Sequence, residues 1–239
     1  MKASTYPEMF QLEQSHFWFT GKQAFINRAF TFCLLKNEKI LDVGCGTGGT
    51  TQIMTKWGDV TGLEKNPQAA SLARSRGLTV KVGSANKIPF QNSTFTVVTF
   101  FDVLYHKGIN ESQALKEAWR ILEPGGHLFI TDCATPSLWS VHDEIMDAKY
   151  RYTKQQLSTL VSSAGFTVDT LRSIYAILYP IFVLVRIIKK VFPSSPAISM
   201  PPNLINGICS ILLSIESSVF PYVNPPFGSS IFIIAKKPL

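Results

Sequence analysis

Charge is scarce in this chain, and so is cysteine. Only 16% of its 239 residues are Asp, Glu, Lys or Arg, while 46% are hydrophobic, which excludes a disordered polyelectrolyte and predicts a folded unit with a large apolar core. The four cysteines, Cys33, Cys45, Cys133 and Cys209, form no C-x-x-C pair. Neither a disulfide framework nor a zinc site is expected, and a reduced, cytoplasmic setting is. Asp, Glu and His show no metal-ligand spacing. Uncharged apolar stretches run to about 12 to 15 residues, short of the roughly 18 to 20 that a membrane span needs. The opening MKASTYPEMFQLEQ is polar and acidic with no apolar h-region, which predicts no signal peptide. Internal repeats and low-complexity tracts are absent.

Acidic residues are missing from one half in particular. Residues 1–144 hold 14 Lys/Arg and 13 Asp/Glu, whereas residues 145–239 hold 9 and 3, so nearly all of the net charge of +7 sits in the C-terminal part. That part is also the most apolar. Basic plus apolar points to an anionic membrane surface or to an anionic lipid-like substrate. Nucleic acid is not expected, because no dense Lys/Arg cluster has aromatics between its charges.

What is present alternates between strand and helix patterns. Two N-terminal helices are expected at about 6–15 and 20–36. Strands are expected at 39–43, 59–64, 79–82, 94–101, 127–131, 167–174 and 230–235. Helices fall between them: one opens from the glycine turn after 43, one starts at Pro67 and ends at Gly77, one spans 112–122 and is stopped by Pro124-Gly-Gly126, and one spans 153–164 with Gly165 as its C-cap. This predicts a doubly wound, mostly parallel α/β sheet with its ligand at the carboxyl ends of the central strands. Between the sixth and last strands lie two further apolar runs, Ile177 to Phe192 and Asn203 to Phe220. They read as a helical cap over the sheet, and in the sharper alternative as a surface that also docks on lipid.

The most informative segment is Ile40-Leu-Asp-Val-Gly-Cys-Gly-Thr-Gly-Gly-Thr-Thr51, a strand ending in an acidic residue and a glycine-dense turn. Gly44, Gly46 and Gly48 supply backbone torsions closed to other residues and leave no Cβ between backbone and ligand. Asp42 can organise the turn and face a cationic ligand end. Glu64, ending the second strand, is placed to grip ribose hydroxyls. These features suit a nicotinamide dinucleotide as well as S-adenosylmethionine, and Gly44, Gly46 and Gly49 also fit G-x-G-x-x-G.

Later segments discriminate. Lys81-Val-Gly-Ser-Ala85, Ile88-Pro-Phe90, Ser93 to Phe100, Asp102-Val-Leu-Tyr-His106 and Arg120-Ile-Leu-Glu-Pro-Gly-Gly126 form an ordered series. In order and spacing it resembles the class I S-adenosylmethionine-dependent methyltransferases. The resemblance extends to a bacterial group, often tied to polysaccharide or lipid-linked sugar pathways, that opens with H-W-W-F-x-G-R-R. Here that segment reads His16-Phe-Trp-Phe-Thr-Gly-Lys-Gln23, and the later matches are Leu138-Trp-Ser-Val-His-Asp143, Tyr150-Arg-Tyr-Thr153 and Pro226-Phe-Gly-Ser-Ser230. The resemblance implies a Rossmann-like seven-stranded sheet of order 3-2-1-4-5-7-6 with the last strand antiparallel. It implies one domain, with an N-terminal helical lid at 1–37, a core at 38–176, an apolar helical cap at 177–228 and the last strand at 229–239. The implied donor site comprises Asp42, Gly44, Cys45, Gly46, Gly48, Glu64, Lys65, Ser84, Ala85, Phe101, Trp18 and Lys22. Tyr105, Trp139 and Tyr152 would line the acceptor side. The implied cofactor is S-adenosyl-L-methionine, and the acceptor a small molecule, glycan or lipid-linked compound.

The chain departs from the group's pattern at several positions. Ser84 stands where an aspartate usually accepts from the adenine amino group, and Tyr105 replaces the glutamate before His106. Lys22 and Gln23 replace paired arginines, which weakens anion gripping. Ala148 stands where the group often has a second histidine after His142-Asp143. Methyl transfer from a sulfonium asks mainly for proximity, orientation and exclusion of water. A hydroxyl acceptor also needs a base, for which His142 and His106 are the candidates; either could instead be structural. Aromatic faces at Trp18, Phe101, Tyr105 and Trp139 suit a sulfonium, or serve ordinary core packing. Two tempting motifs are declined: Asn224-Pro-Pro-Phe227 precedes the last strand rather than following the fourth, and Tyr150-x-x-x-Lys154 lacks the dehydrogenase glycine spacing. Three readings stay open: an O-directed methyltransferase, a donor-binding protein without turnover, and a nicotinamide oxidoreductase.

Overall fold

The computed structural model describes residues 5–191 and 199–239, and for residues 189–191 only the backbone. The expected lid's residues 1–4 and the expected end of the first apolar run at Phe192 lie outside the described residues. The chain begins with α1 (Thr5–Leu12) and α2 (Phe17–Phe32), then runs β1 (Glu38–Val43), α3 (Gly49–Met54), β2 (Gly58–Glu64), α4 (Pro67–Ser75), β3 (Thr79–Val82) and β4 (Phe95–Phe101). It continues with α5 (Glu111–Ile121), β5 (Leu122–Cys133), α6 (Val141–Ile145), α7 (Lys154–Ser163), β6 (Thr167–Ile174), α8 (Tyr179–Val191), α9 (Asn203–Val219) and β7 (Ser230–Lys236).

The sheet has the order β3-β2-β1-β4-β5-β7-β6, as expected from the sequence. The first five strands pair in parallel, and β7 inserts antiparallel between β5 and β6. Strand alternation sorts the core into two layers. Leu41, Val43, Val98, Phe100, Leu128 and Ile130 face α5 and α7, while Ile40, Val97, Phe129, Phe232 and Ile234 face α2 and α9. Local chemistry sets the helix ends. The Asn66 side chain accepts from the amides of Gln68 and Ala69 ahead of Pro67, and Thr153 forms a capping box with Gln156.

Several expected boundaries need correction: α1 ends at Leu12 rather than at 15, and α2 spans Phe17–Phe32 rather than 20–36. Strand β5 begins at Leu122, not at His127: Leu122 pairs with Phe95 and His127 with Val97, so Glu123 to Gly126 bulge out of an otherwise continuous ladder. Gly125 takes φ +79° there, so Pro124-Gly-Gly126 is a bulge within the strand as well as the helix stop. The cap of α7 is Ala164, and Gly165, at φ +99°, is the residue beyond it.

Candidate functional site

Parallel β1, β2 and β4 end on the same edge of the sheet, and their loops open there into a cavity of about 500 Å³, within the range of small-molecule sites. The glycine turn forms its floor. Gly44, Gly46 and Gly48 all lie in the left-handed region, with φ of +74°, +56° and +87°. A Cβ on Gly44 would lie 2.6 Å from Val103 Cγ2, so the turn needs glycine there on both conformational and steric grounds. Beneath it Asp42 is 1% exposed, with its two carboxylate oxygens accepting from the hydroxyls of Thr51 (2.6 Å) and Thr99 (2.7 Å). Burial pushes its pKa up to about 6, against the pull of those two hydroxyls and of Lys22. Asp42 is thus the tie between β1, β4 and the start of α3.

Glu64 ends β2 and binds the turn directly. Its Oε2 accepts from the Gly46 amide at 3.0 Å and its Oε1 from the Asn66 amide at 2.7 Å. Each oxygen keeps a further lone pair for a hydroxyl donor in the cavity. Tyr6 of α1 stands nearby, and burial, with the Glu64 charge second, pushes its phenol up to about 12. On the β4 side, Asp102 holds a left-handed backbone (φ +59°) and pairs with Lys22 of α2 at 2.7 Å. Burial works to lower the Lys22 pKa, but Asp102 and Glu13 outweigh it and the net shift is upward, so the ammonium stays charged in the cavity wall. The Trp18 ring stacks on Tyr175 at 4.3 Å between centroids.

The opposite wall carries the two histidines. His106 follows β4, its ring 4.3 Å from that of Tyr105, and its Nδ1 is buried with no hydrogen-bond partner among the described residues. Burial pushes its pKa below the ordinary value, so the imidazole is neutral near pH 7. His142 lies in α6 and also lines the cavity. The neighbouring Asp143 carboxylate holds the loop together: it accepts from the Ser140 amide (2.9 Å) and pairs with Arg151 (2.7 Å) and Arg186 (3.1 Å). Ala148, fully buried, bridges to the His106 backbone, so no side chain replaces the missing histidine at that position.

Of the residues expected from the sequence, the cavity brings together Trp18, Lys22, Asp42, Gly44, Cys45, Gly46, Glu64, Lys65, Ala85, Phe101, Tyr105, His106 and His142. Gly48, Ser84, Trp139 and Tyr152 lie outside its lining. Gly48 packs instead toward Leu78 and Ala73, and Tyr152 is buried with its hydroxyl 3.4 Å from Glu111. Sequence reasoning missed Tyr6, Met9 and Glu13. Glu13 reaches back from the turn between α1 and α2 to clamp the glycine turn: its Oε2 accepts from the Thr47 hydroxyl (2.7 Å), the Gly49 amide (3.0 Å) and Arg76 (3.0 Å). No local spacing signals that contact, because it joins residues far apart in the chain.

Comparison with known proteins bears on this geometry. Residues 41–130 match the family model described as a methyltransferase domain. The matched segment is thus similar to a methyltransferase domain, over less than half of the chain. Over 113 residues the chain is 34% identical to the phthiotriol/phenolphthiotriol dimycocerosates methyltransferase of Mycobacterium leprae, a match covering 44% of this chain and 42% of that one. Over 106 residues it is 34% identical to the demethylmenaquinone methyltransferase of Chlorobaculum tepidum, covering 42% and 43% respectively. The chain thus spans less than half the length of these two relatives. Among solved structures, an S-adenosylmethionine-dependent methyltransferase from Thermotoga maritima superposes with a TM-score of 0.62 at 19% identity, over 98% of this chain and 95% of that one. The sheet therefore has the expected strand order, and the fold as a whole is shared with this solved neighbour.

Proposed function

We propose that this protein is an S-adenosylmethionine-dependent methyltransferase that acts on a small, lipid-like or lipid-linked acceptor, most simply at a hydroxyl. The observation that carries the reading is the union of Glu64 with the left-handed glycine turn on one wall of a cavity, facing two histidines on the other. The donor fits what is there. The glycine turn leaves its backbone open to the cavity, and only the Met9 methyl, 3.2 Å away, would meet a Cβ on Gly46. Glu64 would hold the ribose, the charged Lys22 would face the carboxylate, and Phe101, Trp18 and Tyr105 would offer aromatic faces. The donor supplies an electrophilic methyl on a sulfonium.

The chain's own residues would then position and deprotonate the acceptor. His106 is neutral and lines the cavity, and His142 enters the same cavity from α6. Either can take the hydroxyl proton as the new bond forms, while the N-terminal helices exclude water as a lid. An acceptor of lipid character is supported by the phthiotriol dimycocerosate and demethylmenaquinone for which the M. leprae and C. tepidum relatives are named, and by the apolar, basic C-terminal part. The second reading, donor binding without turnover, keeps its motive in Ala148 and Ser84.

Glu64→Ala is expected to weaken S-adenosylmethionine binding about a hundredfold or more; unchanged affinity would remove the donor assignment. Replacing the base by alanine is expected to lower kcat roughly 10²- to 10⁴-fold with donor affinity intact. If neither His106→Ala nor His142→Ala does so, catalysis does not use a histidine base.

A further inference from the structure

We infer that the outward faces of α8 and α9 form a docking surface for an anionic lipid bilayer, beside the mouth of the cavity. The inward face of α9 is ordinary: Cys209, Leu213 and Phe220 pack toward α2, so closely that a Cβ on Gly21 would clash with Leu213. The outward face is not. Leu204, Ile208, Ile211, Ile215 and Val219 recur at helical spacing and are all exposed, Leu204 at 76% and Ile211 at 62%. A helix facing water places polar residues there. This one has a single charged residue, Glu216, which points inward and accepts from the amides of Ala176 and Ile177 at 2.8 and 3.1 Å.

Helix α8 repeats the inversion. Its Arg186 turns inward to the Leu138 carbonyl, the Ser140 hydroxyl and Asp143, while Ile181, Leu184 and Ile188 are exposed along with Ile177 just before the helix. Exposed aliphatic side chains on two consecutive helices exceed the scattered apolar residues of an ordinary surface. No helix among the described residues is long and apolar enough to cross a membrane. The geometry is that of helices lying in the plane of an interface.

Charge selects the occupant. The segment that carries both helices, residues 177–228, contains three Lys/Arg, with Lys189 and Lys190 at the end of α8, and one acidic residue, the inward-facing Glu216, so it offers an anionic surface no repulsion. At the edge of the face Tyr222 is 70% exposed, edge-on to Phe32 and beneath the Arg28 guanidinium, an aromatic and basic pair suited to the headgroup level. Apart from the aliphatics, the exposed side chains of α9 are only Asn203, Ser214 and Ser218, none of them charged, so a protein partner would find few groups to fix its register.

Three contacts tie this face to the cavity. Phe182 of α8 lies edge-on to Trp18, at 5.7 Å between centroids. Arg186 holds the loop that carries His142. Asn206 of α9 accepts from the Phe17 amide and donates to the Ser15 carbonyl, both at 2.8 Å, next to Trp18. A lipid-soluble acceptor would thus enter the cavity from the bilayer; this clause rests on the methyl-transfer reading, whereas the docking surface does not.

The test is flotation with vesicles of phosphatidylcholine alone and of equimolar phosphatidylcholine and phosphatidylglycerol. The protein is expected to float with the anionic vesicles and far less with the neutral ones. Ile208→Ser/Ile211→Ser in α9 and Leu184→Ser/Ile188→Ser in α8 are each expected to weaken partitioning about tenfold to a hundredfold. S-adenosylmethionine binding should be unchanged in both, which also shows that they fold. The proposal is overturned if the protein stays at the bottom with both vesicle types, or if both variants float like the parent. A concentration-dependent dimer that these substitutions dissociate, with no flotation, would assign the face to a second copy and equally overturn it. Loss of donor binding in the parent protein would instead sink the methyl-transfer reading and leave the flotation result standing.

Discussion

Glu13→Ala should release the N-terminal helices from the glycine turn. The Glu13 carboxylate receives the Thr47 hydroxyl, the Gly49 amide and the Arg76 guanidinium, and the side chains of Glu13 and Arg76 are only 7% and 3% exposed. Removing one partner of a buried pair costs about 3–5 kcal/mol, because the remaining charge stays buried without compensation. Arg76 keeps bonds to the carbonyls of Thr47 and Phe10, at 2.8 Å each, and lies 4.0 Å from the Phe10 ring, which favours the lower end. The Gly49 amide, left without an acceptor, adds about 1 kcal/mol. The expected loss is about 3–4 kcal/mol, or about 6 to 16 °C in Tm for a chain of this size. Urea denaturation at about pH 8 is the assay. That pH matters because burial pushes the Glu13 carboxyl above the usual range, against Thr47, Arg76 and Lys22, and the pair must be ionised to be tested. Glu13→Gln, which keeps an acceptor but no charge, should lose about half as much. A loss under about 1 kcal/mol for Glu13→Ala would refute the clamp.

Two other substitutions probe the turn itself. Asp42, with its pKa raised to about 6, binds a proton in the folded state that the unfolded chain releases near pH 4. Stability should therefore fall as pH rises from about 4 to about 6, by up to about 3 kcal/mol from this group. Asp42→Asn should flatten that part of the pH curve, and an unchanged slope would contradict the assignment. Gly44→Ala should cost about 2–4 kcal/mol, combining left-handed strain with the approach to Val103, whereas Gly77→Ala, also at positive φ but with nothing within 4 Å, should cost about 1 kcal/mol. Equal losses in urea denaturation would show that the close approach does not matter.

Much of this molecule could be read from local patterns, and the limits of that reading have physical causes. The strands at 79–82 and 167–174 are rich in β-branched residues and each starts two residues after a glycine, and they appear where the pattern puts them. The motif series set the strand order, which periodicity alone does not specify. The bulge at Glu123 to Gly126 was invisible because Pro-Gly-Gly signals a break, and only pairing with β4 shows that the strand starts before it. In the cavity, residues on strand ends and their turns, such as Glu64 and Gly46, were legible because their spacing follows from the strand–turn–helix unit. Glu13, Tyr6 and Met9 were not, since their place depends on how α1 packs across a turn many residues away. Trp139 and Tyr152 show the reverse: motif position suggested the wall, but side-chain packing turned them from it.

Calorimetric titration of the protein with S-adenosylmethionine and, separately, with NAD tests the central claim most directly. The account predicts saturable one-to-one binding of S-adenosylmethionine that Glu64→Ala removes, and no binding of NAD. Tight binding of NAD with none of S-adenosylmethionine would contradict it.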